Sequence, residues 1–117
     1  MGFPKEFVWG VATASYQIEG HMGGDTGVMS IWDKYCQQPD VIFDKSSGAV
    51  ACDHFHRYGE DVRAMVDLGV KAYRLSFSWA RVMPDGENPS EEGLAFYDRL
   101  IDELLAKGIT PYVTLYH

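Results

Sequence analysis

The stretch that decides the fold runs from Val70 to Arg81 and reads Val-Lys-Ala-Tyr-Arg-Leu-Ser-Phe-Ser-Trp-Ala-Arg. It begins just after Gly69, where a helical pattern stops, and its side chains alternate as those of a β-strand do. One face of the predicted strand is large and apolar, formed by Tyr73, Leu75 and Phe77. The other face is small apart from one charge, formed by Ala72, Arg74 and Ser76. Such a pattern is typical of a parallel strand in a closed barrel, where large residues pack under helices and small ones face the interior.

Arg74 is the unusual residue of this strand. A guanidinium group inside a barrel is costly unless a carboxylate pairs with it. The alternative is that Arg74 lies on a solvated strand face, where it would need no partner. The sequence pattern leaves both interpretations open, and the partner of Arg74 becomes the main question.

The flanking segments predict strands and helices in alternation. We expect strands at residues 7–14 and 109–116, on either side of the central one, and a short helix at residues 30–37 with Ser30 as its N-cap. Two longer helices are predicted, one at residues 54–68 capped by Asp53 and one that is capped by Ser90 and closed by Lys107 and Gly108. Helix-linked apolar strands imply a parallel sheet with right-handed crossovers. The long first crossover, about residues 15–50, follows the carboxyl end of a strand, where active-site loops of such folds lie.

Composition excludes several classes of partner. The 117 residues carry a net charge of −7, and the Lys and Arg residues are scattered singly, which argues against nucleic acid and anionic membranes. Two cysteines, Cys36 and Cys52, are typical of a reduced cytosolic protein, although one disulfide stays possible. No secretory signal and no apolar run long enough for a membrane helix are evident, so a cytoplasmic location is expected.

Three further features carry weaker signals. The glycine-rich segment 21–27 lacks the spacing of a phosphate-binding loop and is interpreted as a flexible connector. His54 and His56 point apart on a helix, so we expect surface histidines rather than a metal site, and neither a metal nor a cofactor is expected. Asp61 is interpreted as a solvated helix charge. Glu19 follows the first strand and could act as a general acid, but a hydrogen bond that anchors the loop is the favoured role.

Three polar residues would meet at the carboxyl rim of the sheet if the three strands are neighbours: Gln17, Arg74 and His117. Glutamine and histidine both donate and accept hydrogen bonds, which suits the adjacent hydroxyl groups of a sugar. A general polar rim would look similar, so the spacing alone does not establish a carbohydrate site.

At these residues the chain closely resembles the β-glucosidase-type glycoside hydrolases of family one. The matching runs cover nearly the whole chain in the family's order: Phe-Val-Trp-Gly-Val-Ala-Thr-Ala-Ser-Tyr-Gln-Ile-Glu-Gly at 7–20, Ser-Ile-Trp-Asp at 30–33, Asp-His-Phe-His-Arg-Tyr at 53–58, Glu-Asp-Val at 60–62, the central stretch from residue 68 to 81, and Ile-Thr-Pro-Tyr-Val-Thr-Leu-Tyr-His at 109–117. The divergent part is residues 21–28, where family members commonly carry a more charged connector.

The resemblance implies a (β/α)8 barrel that hydrolyses terminal β-linked sugars with retention of configuration. Two glutamates perform this reaction about 5–5.5 Å apart, one as acid/base and one as nucleophile. In the family they lie in Asn-Glu-Pro and Glu-Asn-Gly contexts, and neither context occurs in these 117 residues, so no catalytic residue is assigned to this chain. By position, Gln17 and His117 resemble residues that hydrogen-bond glycone hydroxyls, and Arg74 resembles the arginine that supports the nucleophile carboxylate.

We therefore predict an α/β fold in which residues 1–117 form the first three parallel strands of a (β/α)8 barrel, with their crossover helices. This part is incomplete on its own, because a barrel needs eight strands. The expected partners are a β-glucoside or related oligosaccharide and the remainder of the barrel, covalently attached or as a second chain. One rival hypothesis is a non-catalytic barrel fragment or assembly module. The other is a doubly wound nucleotide-binding protein, which the lack of a phosphate-loop motif disfavours.

Overall fold

The computed structural model describes residues 2–20 and 28–117; the predicted connector at 21–27 lies outside this description. Eight elements follow one another in the described part: β1 (Gly10–Ala12), α1 (Ser15–Ile18), α2 (Ile31–Cys36), α3 (His54–Leu68), β2 (Ala72–Ser76), α4 (Trp79–Val82), α5 (Glu91–Ala106) and β3 (Thr110–Thr114). None of these helices combines the length and the apolar character that crossing a membrane would require.

The three strands form one parallel sheet in the order β1-β2-β3, as predicted. Each strand is shorter than the alternation suggested, and β2 ends at Ser76. The next residues turn into α4, which begins after Ser78 in an extended conformation. The short helices α1 and α4 both follow the carboxyl ends of strands, in segments predicted as loop and as strand.

The outer face of the sheet forms the core under α3 and α5. Tyr73 and Leu75 of β2 are buried, as the alternation predicts for the large face of this strand. The buried apolar residues that surround them come from both helices, from α4 and from the residue before β3: Val62, Met65, Val82, Phe96, Tyr97, Leu100, Leu104 and Ile109. Burial of this apolar area is the main favourable contribution to folding here.

The inner face carries the small residues and Arg74. In the register of the sheet, Arg74 lies beside Ala12 of β1 and Tyr112 of β3, so these three residues form one row on the same face. The strands approach closely here, because a Cβ atom on Gly10 would lie 2.7 Å from the carbonyl oxygen of Ala72. Ala12 and Tyr112 are exposed, and Arg74 is partly buried.

Two of the three predicted helix caps are confirmed. Ser30 and Asp33 form a reciprocal capping box at the start of α2, and the side chain of Ser90 accepts a hydrogen bond from the amide of Gly93 in α5. Asp53 occupies the N-cap position of α3 as predicted, but its side chain makes no capping hydrogen bond. This residue has a left-handed backbone with φ of 54°, and its carboxylate contacts Nδ1 of His56 at 2.6 Å instead of capping α3.

The prediction of two surface histidines is correct only for His56, which is exposed. His54 is buried against the core, with Nδ1 located 2.6 Å from a carboxylate oxygen of Asp61. Asp61 is therefore a hydrogen-bonding partner and not simply a solvated charge. The two residues stand seven positions apart, which places them on the same face of α3 two turns from one another.

Asp85 organises the loop between α4 and α5. Its carboxylate accepts hydrogen bonds from the amides of Glu87 and Asn88 and from the side-chain amide of Asn88, at 2.9, 2.7 and 2.8 Å. These bonds, with the side chain of Asn88 as the largest cause, lower the pKa of Asp85 from 3.8 to about 2. Because the pKa is lower in the folded state, ionised Asp85 stabilises the fold at higher pH, and this contribution disappears as the pH falls from 3.8 to about 2.

We expect the destabilisation caused by Asp85→Asn, which removes the charge but keeps an acceptor oxygen, to shrink as the pH falls from 3.8 towards 2. Denaturant unfolding of the complete protein and its variant at a series of acidic pH values measures this difference. A difference that is independent of pH would show that the charge of Asp85 does not support the loop.

Candidate functional site

A pocket of about 560 Å³ opens at the carboxyl ends of the three strands. Each strand leads into its wall: Ala14 follows β1, Phe77 follows β2, and Tyr116 with His117 follows β3. The remaining wall comes from the long first crossover, through α2 and the segment around Gly48. The long crossover after the first strand therefore contributes to a concave site, as its position in the chain predicts.

The pocket is lined mainly by apolar and aromatic side chains. Five aromatic residues contribute to it: Tyr16, Trp32, Phe77, Trp79 and Tyr116. Aromatic walls with a few polar groups are typical of sites for small organic ligands. Trp32 packs near Tyr16, with ring centroids 6.1 Å apart, and stands edge-on to Tyr35 at 5.9 Å.

Tyr16 fixes the crossover segment against α1. Its hydroxyl group donates a hydrogen bond to Sγ of Cys36 at 3.1 Å and accepts one from the amide of Gly48 at 2.9 Å. Burial and the hydrogen bond to Cys36 raise the pKa of Tyr16. A side chain at position 48 would collide with Tyr16, because a Cβ atom there would lie 2.6 Å from its carbonyl oxygen. This close contact therefore requires glycine.

The structure brings Gln17 and His117 to the same pocket. Gln17 is an exposed residue of α1, and His117 follows the end of β3; both line the cavity. Their side chains together offer hydrogen-bond donors and acceptors beside aromatic surfaces. The predicted meeting of Gln17, Arg74 and His117 at the rim therefore holds for Gln17 and His117 only.

Arg74 lies elsewhere, on the inner face of the sheet and not among the residues that line the pocket. Its Nη1 atom donates a hydrogen bond to the carbonyl oxygen of Thr13 at 3.1 Å, which ties the guanidinium group to the segment that leads into α1. Within residues 2–20 and 28–117, no carboxylate lies within 4.0 Å of Arg74. Arg74 lies on the face of the small residues, as the alternation predicts, and this location fits both interpretations of the residue.

Glu19 lies at the wall of the pocket but is itself buried, with an exposed fraction of 4%. One carboxylate oxygen accepts a hydrogen bond from the hydroxyl group of Tyr97 at 2.6 Å, and the other accepts one from Nε of Arg81 at 3.2 Å. Burial raises the pKa of Glu19, against the opposing effects of Arg81 and Tyr97. These contacts are those of an anchoring residue, the role that the sequence favours over general acid.

Sequence reasoning missed the residue that pairs with Glu19. Arg81 closes the decisive stretch but received no role, and it is the most deeply buried charge of the described chain, with an exposed fraction of 1%. Its guanidinium carbon also lies 3.7 Å from the ring centroid of Phe55. Trp79 and Tyr116 were likewise not assigned to the pocket. No local sequence pattern indicates the pairing of Glu19 with Arg81, because 62 positions separate the two residues.

The side chains of the site are chemically suited to a neutral, hydroxyl-rich ring. Apolar ring faces pack against aromatic side chains, while hydroxyl groups at the ring edge pair with amide and imidazole groups.

Comparison with known proteins identifies relatives over the whole length of the chain. The family model described as glycosyl hydrolase family 1 matches residues 1–117. β-Glucosidase A of Thermotoga maritima is 53% identical over 116 residues, which is 98% of this chain and 26% of the relative. The aryl-phospho-β-D-glucosidase of Bacillus subtilis is 52% identical, over 98% of this chain and 24% of its own length.

Solved structures give the same result. The β-glucosidase of Thermotoga maritima, solved also in complex with glucoimidazole, superimposes with a TM-score of 0.93 at 52% identity, covering 98% of this chain and 26% of the solved chain. The chain thus spans about a quarter of the length of these relatives. Its three parallel strands with their helices are part of a (β/α)8 barrel, which confirms the predicted fold class. The chain belongs to glycosyl hydrolase family 1.

Proposed function

We propose that this chain is the N-terminal part of a retaining β-glycosidase of the β-glucosidase type, in which it builds part of the site for the terminal sugar. One observation carries the proposal: Gln17 and His117 line one aromatic pocket at the carboxyl ends of three parallel strands, in a chain about half identical to β-glucosidases. Active sites of (β/α)8 barrels lie at this face.

The reaction in this proposal is a double displacement by two glutamates from the remainder of the barrel. One carboxylate attacks the anomeric carbon and forms a glycosyl-enzyme intermediate, and the other protonates the leaving oxygen and then activates water. The chain described here supplies neither glutamate. Its own contribution is to bind the sugar ring and to support the nucleophile.

Gln17 and His117 are proposed to hold the hydroxyl groups of the terminal sugar. Gln17 projects from α1 and His117 follows β3, so together they approach a ring in the pocket from the ends of the two strands that flank β2. Hydrogen bonds to hydroxyl groups of the reacting sugar strengthen as the ring distorts towards the transition state. Such bonds raise kcat more than they tighten substrate binding.

Arg74 is proposed to pair with the nucleophile carboxylate. The guanidinium group lies on the inner face of the sheet, in the row formed with Ala12 and Tyr112. An adjacent guanidinium group keeps a carboxylate ionised through its opposite charge and its donated hydrogen bonds. An ionised carboxylate is the form that can attack the sugar.

Substitution of the two sugar-binding residues tests this proposal. In the complete protein, Gln17→Ala and His117→Ala are each expected to lower kcat/KM for an aryl β-glucoside roughly 10- to 100-fold, with most of the loss in kcat. Initial rates over a range of substrate concentrations separate the two parameters.

Two exposed residues outside the pocket provide matched controls. Gln38→Ala and His56→Ala remove the same types of side chain from the surface, and we expect kcat/KM within about twofold of the unsubstituted protein. Equal effects of the pocket variants and of these controls would contradict the proposed sugar site.

A further inference from the structure

Gln17 lies in a helix that is too short to be stable without tertiary contacts. The helix α1 contains only four residues, and Ala14 at its N-cap makes no side-chain hydrogen bond to it. A single helical turn is unstable in water unless tertiary contacts hold it. The placement of Gln17 in the pocket therefore depends on the contacts that fix the two ends of α1.

The N-terminal end of α1 is fixed to the neighbouring strand. The amide of Ser15 donates a hydrogen bond to Oγ of Ser76 at 2.9 Å, and the amide of Thr13 donates one to the carbonyl oxygen of Arg74 at 2.9 Å. These bonds join the segment to β2, but they hold only the start of the turn.

The C-terminal end of α1 is fixed by Glu19. Its amide donates to the carbonyl oxygen of Ser15 at 2.9 Å, and its own carbonyl oxygen accepts from the amide of Phe55 at 3.2 Å. Its carboxylate is held at the same time by Tyr97 and Arg81. Glu19 therefore connects the turn that carries Gln17 with α3, α4 and α5.

Tyr97 extends this connection to a second wall of the pocket. Its hydroxyl group donates to Glu19 at 2.6 Å and accepts a hydrogen bond from the amide of Ser78, also at 2.6 Å. Ser78 and Trp79 also line the pocket, and the ring of Phe77 packs on Tyr97 with centroids 4.2 Å apart. One hydroxyl group thus joins the segments after β1 and after β2.

The buried ion pair is poorly explained as a device for stability alone. Taking both charges of Glu19 and Arg81 out of water costs free energy that their attraction hardly exceeds, and apolar residues of similar volume often stabilise a core equally well. In some proteins, buried polar or charged groups instead fix the relative orientation of the elements that they join. Both side chains are at least 95% buried, so their geometry is tightly restrained.

We infer that Glu19, Arg81 and Tyr97 form a positioning cluster, which sets the distance between Gln17 and the wall formed by Ser78 and Trp79; this inference rests on the function proposed above. Arg81 and Tyr97 are not among the residues that line the pocket, and Glu19 reaches its wall with only 4% of its surface exposed. The cluster is therefore assigned a positioning role. It acts through Gln17 and through the pocket wall, and small displacements of groups that orient a substrate cost large factors in rate.

Tyr97→Phe in the complete protein is the sharpest test, because it removes one oxygen atom and leaves the core packing in place. We expect kcat/KM for an aryl β-glucoside to fall about tenfold, at a temperature where the variant is fully folded. Tyr58→Phe is the matched control, since Tyr58 packs on Phe96 in the same core and does not line the pocket. The control should leave kcat/KM within about twofold.

A double-mutant cycle separates positioning from a general loss of stability. If Tyr97 acts through Gln17, the effect of Tyr97→Phe on kcat/KM should become clearly smaller in a Gln17→Ala background. Independent, fully additive effects, or a variant that lowers only the melting temperature, would overturn the inference.

Amide hydrogen exchange provides a second measurement that does not depend on activity. Tyr97→Phe should accelerate exchange at residues 13–20 and 77–80, but not in the last turns of α5. Unchanged exchange in both segments would overturn the inference even if the protein is active. Absence of turnover by the unsubstituted protein would instead contradict the proposed function.

Discussion

Replacing Arg74 by methionine in the complete protein is expected to lower kcat for an aryl β-glucoside by roughly 10²- to 10³-fold. Methionine keeps much of the length of the side chain but removes the charge and all five donors. The nucleophile would lose the group that favours its ionised form.

The pH dependence of this variant gives a more specific signature. An adjacent positive charge lowers the pKa of a carboxylate, so removal of Arg74 should raise the pKa of the nucleophile. The acidic limb of the profile of kcat/KM against pH, which reports the free enzyme, should therefore move to higher pH.

Two further substitutions control this experiment. Arg74→Lys keeps the charge without the planar fork of donors, so we expect a smaller loss of kcat and a smaller shift of the acidic limb. Arg63→Met removes an exposed arginine of α3 and should change neither quantity. A wild-type rate and an unshifted profile for Arg74→Met would show that Arg74 does not serve the nucleophile.

We expect the 117-residue chain by itself to be inactive, with no measurable release of aglycone from an aryl β-glucoside. In the proposed mechanism both reacting glutamates come from the remainder of the barrel. A three-stranded parallel sheet also leaves strand edges unpaired and its inner face without the other strands of the barrel.

This expectation is checked with purified chain of 13.2 kDa, confirmed by intact mass, at concentrations far above those needed for the complete protein. The complete protein serves as the positive control. Turnover at an ordinary enzymic rate by the isolated chain would refute the assignment of catalysis to residues outside it. It would also revive Glu19 as a general acid.

Local patterns in the sequence predicted the parts of the fold that depend on local interactions. The alternation in β2 identified its buried face, because side chains of a strand must point to opposite sides. The caps at Ser30 and Ser90 were correct since both bonds close within three residues. The left-handed backbone at Asp53 was not predicted, because aspartate is common at N-caps and also adopts the left-handed conformation, so its presence does not distinguish the two.

The candidate site was predictable only in part. Gln17 and His117 were placed together because both follow strands that lie in one parallel sheet. The contact between His54 and Asp61 could have been found, since seven positions span two helical turns. Glu19 and Arg81 are different: their contact depends on how β1, α4 and α5 pack, and no spacing in the sequence encodes it.

In the proposed function, the guanidinium group of Arg74 points into a closed barrel and pairs with a carboxylate there. A crystal structure of the complete protein with a bound sugar-mimicking inhibitor is the most direct test. We expect a carboxylate from the remainder of the barrel within hydrogen-bonding distance of the Arg74 guanidinium group, and inhibitor hydroxyls bonded to Gln17 and His117. A guanidinium group of Arg74 surrounded by water, with the inhibitor bound away from both residues, would contradict it.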